Sequence, residues 1–226
     1  MENRPLIIIG GGGHTRVLIG MLLESNREIR GVVTRNTALF GTSIMGVPVL
    51  GHEERVLFAA NEVALVNGVG NVASSRSGSG LEVRASLYHL YRALGFQFPP
   101  VTDARAVIQP EVTMGDSVQV MPGVIIQPGA MIGENVILNT GAVIDHDAVI
   151  YPHAHIAPGA IICGHAVVGE ETHIGAGAVV IQGVRVGSNA VIGAGAVVTR
   201  NVPDNAVVRP MPMEQIKVEH RSEYAA

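Results

Sequence analysis

The stretch VILNTGAVIDHDAVIYPHAHI at residues 136–156 repeats a six-residue pattern, with a large aliphatic residue at every sixth position. The same phase holds from Ile108 to Val198 without a gap. The aliphatic positions are Ile108, Met114, Val120, Ile126, Ile132, Leu138, Ile144, Ile150, Ile156, Ile162, Val168, Ile174, Val180, Val186, Ile192 and Val198. The position four residues after each of these is small or β-branched, as at Ala142 and Ala148.

A period of six residues predicts one short strand and one turn in each repeat, so that three repeats close a triangular coil of eighteen residues. Successive coils are expected to stack at the spacing of strands in a sheet, about 4.8 Å. The range Gln109–Val198 holds five such coils, with the aliphatic residue inside and the small residue at the turn. Residues eighteen apart are therefore predicted to lie on the same corner or face.

The first hundred residues show a different pattern, in which short apolar strands alternate with amphipathic helices. We predict strands at Leu6–Ile9, Ile29–Val33, Val47–Leu50 and Val63–Val66, with Pro48 arguing for a sheet edge or a turn. We predict helical segments after Gly13, at Glu53–Ala60 and at Leu81–Leu94, the last with an apolar face of Val83, Leu87, Leu90, Tyr91 and Leu94. This alternation predicts a small, mostly parallel Rossmann-like sheet. The expected division is an α/β domain at 1–100, a β-helix at 101–204 and a polar tail at 205–226, with a flexible loop at 74–80.

Composition narrows the class of protein. The 226 residues carry a formal net charge of −4 and one lysine, Lys217, so no basic surface is expected to bind nucleic acid. The single cysteine, Cys163, fits a reducing compartment and is interpreted as a small corner residue. The start of the chain does not read as a signal peptide and no apolar run approaches membrane length, so we expect a cytoplasmic protein with no membrane contact.

Two segments carry residues suited to chemistry. Gly10 to Gly13 lie between a predicted strand and helix, where backbone N–H groups can approach a phosphate; a tight strand–helix turn is the plain alternative. A dinucleotide fingerprint would need glycine at position 15, where Thr15 stands, so a dinucleotide cofactor is not expected.

The second segment places a histidine between two carboxylates, Asp145-His146-Asp147, at a predicted corner. A carboxylate beside an imidazole suits a general base near neutral pH, although solvated corner residues would look the same. Counting by eighteen stacks His165 on Asp147, which makes His165 a second candidate base. The same count stacks His173 on His155.

The repeat resembles the hexapeptide-repeat, left-handed parallel β-helix proteins. The segment Val136–Asp147, continued by His155, and the glycine-rich loop before His14 resemble the nucleotide-sugar N-acetyltransferases that act on UDP-linked 4-amino dideoxy sugars. The resemblance implies a left-handed coil, a homotrimer with acetyl-CoA between neighbouring subunits, and a role in surface-glycan synthesis. It predicts direct acetyl transfer to the amino group of a nucleotide-linked sugar.

The resemblance also implies roles for individual residues. His146 would be the general base, Asp147 would raise its basicity, and Asn139 would lie in the active site. The acetyl-CoA would be contacted by His155 and by the backbone at Gly164, Ala176 and Ala194. The nucleotide sugar would be held by Gly12, Gly13, His14 and Gly70, and by Thr34 and Arg35, which stand where the family often has an acidic pair.

Two other interpretations stay open from the sequence. The acceptor could be a hydroxyl, as in a sugar O-acetyltransferase of the sialic-acid type, or the chain could be a scaffold without activity. A metal site of the kind found in the carbonic-anhydrase branch of this fold needs a His-x4-His motif, which the repeat lacks. No metal cofactor is therefore expected.

Overall fold

The computed structural model describes residues 4–57, 59–70 and 80–210. The predicted loop at 74–79 and the predicted tail beyond residue 210 lie outside these ranges. Within the described residues, no helix is both long and apolar enough to cross a membrane.

The first domain is built on a five-stranded sheet with the strand order β3-β4-β2-β1-β5. Its elements are β1 Leu6–Ile9, α1 Gly13–Glu24, β2 Ile29–Val33, β3 Ser43–Ile44, β4 Val47–Gly51, β5 Ala64–Asn67 and α2 Glu82–Ala93, with 3-10 turns at Thr37–Leu39 and Glu53–Val56. All strand pairs are parallel except β3 with β4. The predicted Rossmann-like α/β class is confirmed.

Side chains of the fully buried strand β1 alternate between the two faces of the sheet. Leu6 and Ile8 join the core that includes helix α1, while Ile7 and Ile9 join the core that includes helix α2. This alternation follows from the period of two along a strand. The core on the α1 side continues into the interior of the second domain, so the two domains share packing.

One local prediction in this domain was wrong. Only Glu53–Val56 is helical within the predicted segment Glu53–Ala60, and it is a short 3-10 turn. Pro48, predicted to mark a sheet edge or a turn, follows the turn at 45–46 that joins β3 to β4, and the edge strand β3 pairs with only two residues of β4. The missing N–H of Pro48 costs little there, because the neighbouring N–H of Val49 donates across the hairpin to the carbonyl of Thr42.

The apolar face predicted for helix α2 is correct for two of its five residues, Leu87 and Tyr91, which are buried. It is wrong for Val83, Leu90 and Leu94, which are 58%, 50% and 44% exposed, whereas Arg84 and Tyr88 are buried. The helix is wedged between the sheet and the β-helix, so its buried surface is wider than one apolar stripe. Polar groups on that surface are tolerated because they find hydrogen-bond partners.

The second domain is a prism of two-residue parallel strands that form three sheets, which confirms the β-helix class. Sheet I has seven strands: β6 Val101–Thr102, β9 Gln119–Val120, β12 Ile137–Leu138, β15 His155–Ile156, β18 His173–Ile174, β21 Val191–Ile192 and β23 Val207–Val208. Sheet II has six: β7 Val107–Ile108, β10 Ile125–Ile126, β13 Val143–Ile144, β16 Ile161–Ile162, β19 Val179–Val180 and β22 Val197–Val198. Sheet III has five: β8 Thr113–Met114, β11 Met131–Ile132, β14 Val149–Ile150, β17 Val167–Val168 and β20 Arg185–Val186.

The register of these sheets confirms the count by eighteen, as in the pairs Ile137 with His155 and Ile144 with Ile162. Both repeating positions point inward. The aliphatic Ile144 and the small Ala142 are each fully buried, so the small residue fills the interior as well as allowing the turn. The stack is also longer than the five predicted coils, since sheet I starts at Val101 and ends at Val208.

The chain runs from sheet I to sheet II to sheet III in each coil, which defines three corners. Residues 139–142 form a corner between sheets I and II, residues 145–148 form one between sheets II and III, and residues 151–154 form one between sheets III and I. The first domain covers the outer face of sheet I, where the amide Nε2 of Gln119 donates to the carbonyl of Asn67 (2.8 Å).

Candidate active site

The II–III corner carries the predicted base. Nδ1–H of His146 donates to Oδ2 of Asp147 (2.9 Å), which leaves Nε2 of His146 to accept a proton. The hydrogen bond that His146 donates to Asp147 is the main cause that raises the pKa of His146, and the negative charge of Asp145 raises this pKa further. Asp145 also accepts from the backbone N–H of His146 (2.8 Å), which fixes the turn. The arrangement suits a neutral imidazole that takes up a proton and is stabilised once charged.

Backbone conformation explains why an aspartate stands beside the histidine. Asp147 has φ of 56° and its neighbour in the next coil, His165, has φ of 55°. The corresponding positions in the flanking coils are Gly129 and Gly183, also at positive φ. This turn position requires the left-handed region, which glycine, asparagine, aspartate and histidine enter most readily. The turn therefore holds the Asp147 side chain at a fixed place on the corner.

Gly164 forms the floor beneath the imidazole. A Cβ at this position would lie 2.6 Å from Nε2 and 2.7 Å from Cε1 of His146. No real Cβ comes that close, so only glycine lets the ring lie where it does. The structure thus joins Gly164 to His146 through direct contact.

The predicted stacking of His165 on Asp147 is confirmed. Nε2 of His165 lies 3.7 Å from Oδ2 of Asp147, and the two imidazole rings of His146 and His165 are 5.1 Å apart between centroids. Because His146 makes the shorter contact with the carboxylate, the geometry favours His146 as the base.

A second group of predicted residues lies on sheet I and the I–II corner. Nδ2 of Asn139 donates to Nε2 of His155 (3.1 Å). The ring centroids of His155 and His173 lie 5.0 Å apart, in an edge-to-face arrangement. Burial, and then the neighbouring His173, lower the pKa of His155 well below its ordinary value, so its imidazole is neutral. Nδ1 of His155 is buried and has no hydrogen-bond partner among the described residues, which leaves one polar atom free for a ligand.

Ala176 and Ala194 lie in the next two coils, and both line one groove together with His173 and Arg209. Both alanines are exposed, and each follows a strand of sheet I at the same corner as Asn139. The groove is therefore continuous with the histidine column of sheet I, as an extended ligand along one edge would require.

The glycine-rich loop leads into helix α1, with Gly12 and Gly13 exposed at its first turn and no neighbouring heavy atom within 4 Å of a Cβ built on either. Gly70 lies against His14, since a Cβ on Gly70 would be 3.1 Å from Cβ of His14. The helix start is thus open to a ligand, with room for its N–H groups to donate.

Thr34 and Arg35 follow strand β2 beside this loop. Thr34 is buried, and its Oγ1 would lie 3.2 Å from a Cβ on Gly11. Nε of Arg35 donates to Oε2 of the buried Glu53 (2.9 Å), so the carboxylate partner of Arg35 comes from another element.

His14 points from the loop to the β-helix. Its Nε2–H donates to Oε1 of Gln119 (2.7 Å), and Nε2 of the same Gln119 amide donates to the carbonyl of Asn67. Burial, and then the charge of Arg84, lower the pKa of His14 to about 4, so the ring is neutral at pH 7. Gln119 was not predicted as a site residue, although it occupies the same outward column as His155 and His173 when counted by eighteen.

Arg84, on helix α2, was also not predicted as a site residue. Its side chain is fully buried, and Nη1 donates to the carbonyls of Asn67 (2.8 Å) and Val69 (2.9 Å). The carbonyl of Val69 and the N–H of Gly70 belong to the same trans peptide and point in opposite directions. Because Arg84 binds that carbonyl, the N–H of Gly70 points away from Arg84. Burial lowers the pKa of Arg84 to about 9, and the guanidinium remains charged at pH 7.

The predicted site residues thus fall into two groups that one chain does not bring together. His146, Asp147 and Gly164 lie on the II–III corner, whereas Asn139 and His155 lie on sheet I or at its end. In a triangular prism the II–III corner is opposite sheet I. The two groups are separated by the interior of the prism.

Comparisons with known proteins agree with this architecture. The family model described as bacterial transferase hexapeptide (six repeats) matches residues 111–146 and 165–200. A structure of PerB from Caulobacter crescentus in complex with CoA and GDP-perosamine is 33% identical, with a TM-score of 0.80, over 90% of this chain and 92% of that one. Another structure from the same bacterium is a mutant of perosamine N-acetyltransferase, 32% identical, with a TM-score of 0.82 and the same coverage.

The chain belongs to the hexapeptide-repeat nucleotide-sugar N-acetyltransferases. It is therefore an acyltransferase. The acetyltransferase domain of PglB from Neisseria gonorrhoeae, in complex with acetyl coenzyme A, is also similar, at 31% identity and a TM-score of 0.83 over 95% of this chain and all of that domain. A comparison with curated proteins gives no match.

Proposed function

We propose that this acyltransferase moves the acetyl group of acetyl-CoA directly to the amino group of a nucleotide-linked amino sugar, of the dideoxy class that serves surface-glycan synthesis. The observation that carries the proposal is the His146–Asp147 pair, which presents a free Nε2 above Gly164. The relatives solved with CoA and GDP-perosamine, or with acetyl coenzyme A, support this pair of substrates.

The chemistry needs one base. The amine nitrogen attacks the thioester carbonyl, and Nε2 of His146 takes a proton from that nitrogen. The C–S bond of the tetrahedral adduct then breaks, and the departing sulfur takes the proton from the imidazolium to leave as the thiol of CoA. Asp147 stabilises the imidazolium that forms, because it already accepts from Nδ1–H. The backbone N–H of Gly164 would stabilise the oxyanion, an effect that can be worth about 3–4 kcal/mol.

The two substrates would occupy the two open surfaces described above. Acetyl-CoA would lie along the groove of Ala176 and Ala194, with the unpartnered Nδ1 of His155 near its path. The diphosphate of the sugar nucleotide would meet the open start of helix α1 at Gly12 and Gly13, with the N–H of Gly70 opposite. His14, Thr34 and Arg35 would border the sugar and nucleotide.

The separation of the two groups within one chain favours a site shared between subunits, and the homotrimer that the family resemblance implies would provide one. The exposed column of sheet II is aliphatic throughout, and it includes Val107 (46% exposed), Ile161 (37%) and Val197 (62%). Exposed apolar surface of this extent fits contact with a second copy of the chain. A neighbouring subunit would then bring its II–III corner to the groove and glycine-rich loop of the first.

Subunit mixing tests the shared site. A His146→Ala chain and an Asn139→Ala chain are each expected to be inactive as homotrimers. Unfolded, mixed in equal amounts and refolded, they should recover about one quarter of wild-type activity, since that share of interfaces pairs an intact His146 with an intact Asn139. No recovery, with mixed trimers verified by mass, would contradict a site between subunits.

A substrate panel tests the reaction. Purified protein would be incubated with acetyl-CoA and amino sugars linked to UDP, GDP or dTDP, with matched hydroxyl sugars as controls, and free thiol and product mass would be followed. We expect acetylation of an amino sugar and loss of that activity in His146→Ala. Acetylation of hydroxyl acceptors alone, or an undiminished rate in His146→Ala, would reject the proposal.

A further inference from the structure

We propose that His89, Glu134 and His153 form a zinc(II) site that joins helix α2 to the β-helix. His89 lies on the exposed side of α2, and the other two residues lie on the III–I corner in neighbouring coils. One ligand atom from each residue lies within 4.8 Å of those of the other two. The two imidazole rings are 4.8 Å apart between centroids, at an interplanar angle of 71°.

An outer contact already orients one of the three ligands. The hydroxyl of Tyr88 donates to Oε2 of Glu134 (2.9 Å), which leaves Oε1 for a metal. Nδ2 of Asn135 donates to Nδ1 of the buried His153 (2.9 Å), and Oδ1 of the same amide accepts from Oγ of Ser117 (3.2 Å), so Nε2 of His153 carries the proton. Binding of zinc at Nε2 would move that proton to Nδ1 and turn the amide of Asn135, so that its oxygen accepts from Nδ1–H and its nitrogen donates to the Ser117 hydroxyl. Such outer contacts are a regular part of protein metal sites.

The donor set selects the metal. Two imidazole nitrogens and one carboxylate oxygen suit zinc with water as its fourth ligand, whereas Mg²⁺ and Ca²⁺ prefer oxygen ligands alone. Zinc–nitrogen bonds of about 2.0–2.1 Å in a tetrahedron place ligand atoms about 3.3 Å apart. The three atoms would have to close by about 1.5 Å at most. Rotation of the exposed His89 can close its separations from the other two ligands, and rotation of the half-buried Glu134 side chain can close its separation from His153.

The site would hold structure together rather than take part in acetyl transfer. The III–I corner is a different corner from the one that carries His146. Its neighbour Asn135 accepts from Nε of Arg84 (3.4 Å) through its backbone carbonyl, and Arg84 holds the loop that leads to Gly70. A metal here would therefore fix helix α2 against the coil that supports this loop.

A second cluster complicates a simple binding measurement. His146, Asp147 and His165 also lie within ligand distance of one another, and all three are exposed. The experiment therefore uses His165→Ala as the parent protein, which removes a ligand of that cluster. His89→Ala is added to the parent to test the proposed site, and this exposed residue can be replaced without loss of core packing.

Each protein would be freed of metal with a chelator, dialysed, and titrated with zinc chloride by calorimetry, with cobalt(II) absorption as a check of tetrahedral geometry. We expect one zinc per chain in the parent, and at least about a 100-fold weaker affinity after His89→Ala, since even outer contacts change affinity 10–100-fold. Saturating zinc should raise the melting temperature of the parent and not of the double variant.

Three outcomes would overturn the proposal. The first is an absence of zinc binding by the parent, and the second is equal affinity in the parent and the double variant. The third is a double variant that is already destabilised without zinc, while His89→Ser in the same parent binds zinc as tightly as the parent does. The loss of affinity in the alanine variant would then come from misfolding and not from loss of a ligand. These readouts do not involve acetyl transfer, so the result is independent of the proposed reaction.

Discussion

Replacement of Gly164 by alanine gives a direct test of the position of the base. The added Cβ would lie 2.6 Å from Nε2 of His146, and ordinary contact begins at 3.4 Å, so the imidazole must move by about 0.8 Å. Misplacement of a catalytic group by about 1 Å can cost about 100-fold in rate, which corresponds to about 2.7 kcal/mol. We expect Gly164→Ala to lower kcat/KM by about that factor in a thiol-release assay.

Stability should change little, because the group that must move is an exposed side chain and not backbone. A surface change of up to about 0.5 kcal/mol shifts the melting temperature of a chain this size by about 2 °C at most. Gly169→Ala is the contrasting control. Its Cβ would lie 2.5 Å from the backbone carbon of Gly187, so it should lower the melting temperature without touching the base.

A double variant separates movement of the base from obstruction of acetyl-CoA. If Gly164→Ala acts through the imidazole, it should add no further loss to His146→Ala, because residues that act as a unit are not additive. The reasoning is refuted if Gly164→Ala alone stays within about threefold of wild type. It is refuted equally if the loss persists in the His146→Ala background, since the alanine would then be blocking acetyl-CoA.

Three further predictions concern charge. Asp147→Asn, which keeps a residue tolerant of positive φ, should lower the pKa of His146 and move the acidic limb of kcat/KM to lower pH; an unmoved limb in the pH–rate profile would contradict the pair. Arg84→Met should destabilise the fold by about 1–3 kcal/mol in a denaturant titration and raise KM for the sugar nucleotide while that for acetyl-CoA stays unchanged. His14 and His153 have their pKa lowered from 6.5 to about 4, so the unfolded chain binds more protons in this interval, and denaturant midpoints should fall as pH falls from about 6.5 to about 4.

The β-helix and its corners were predictable from sequence because its geometry is periodic. Once the period is known, each residue's sheet or corner follows from counting by eighteen, and only local sequence is needed. The contact of His165 with Asp147 and the stacking of His173 on His155 were both predicted in this way. The same count would have placed Gln119 in the outward column of sheet I, two coils below His155 with Ile137 between them.

The first domain was less predictable because its decisive contacts join segments far apart in sequence. Helix α2 was assigned an apolar face of five residues, three of which turned out exposed, since the helix packs on two surfaces and not one. Nothing near Arg84 indicates that carbonyl groups of Asn67 and Val69 will surround it. The bond between His14 and Gln119 likewise depends on how the two domains meet, which local pattern does not encode.

The separation of the base from the rest of the candidate site has a consequence for activity. His146 lies at a corner opposite sheet I, while Asn139, His155 and the glycine-rich loop lie on the side of sheet I. Bending the prism cannot join them, because its interior is packed with fully buried aliphatic side chains such as Ile144 and Ile162. If the base serves the groove at all, it must serve the groove of another subunit. Under the proposed function an isolated chain would be folded and yet inactive, and activity would depend on protein concentration wherever the assembly dissociates.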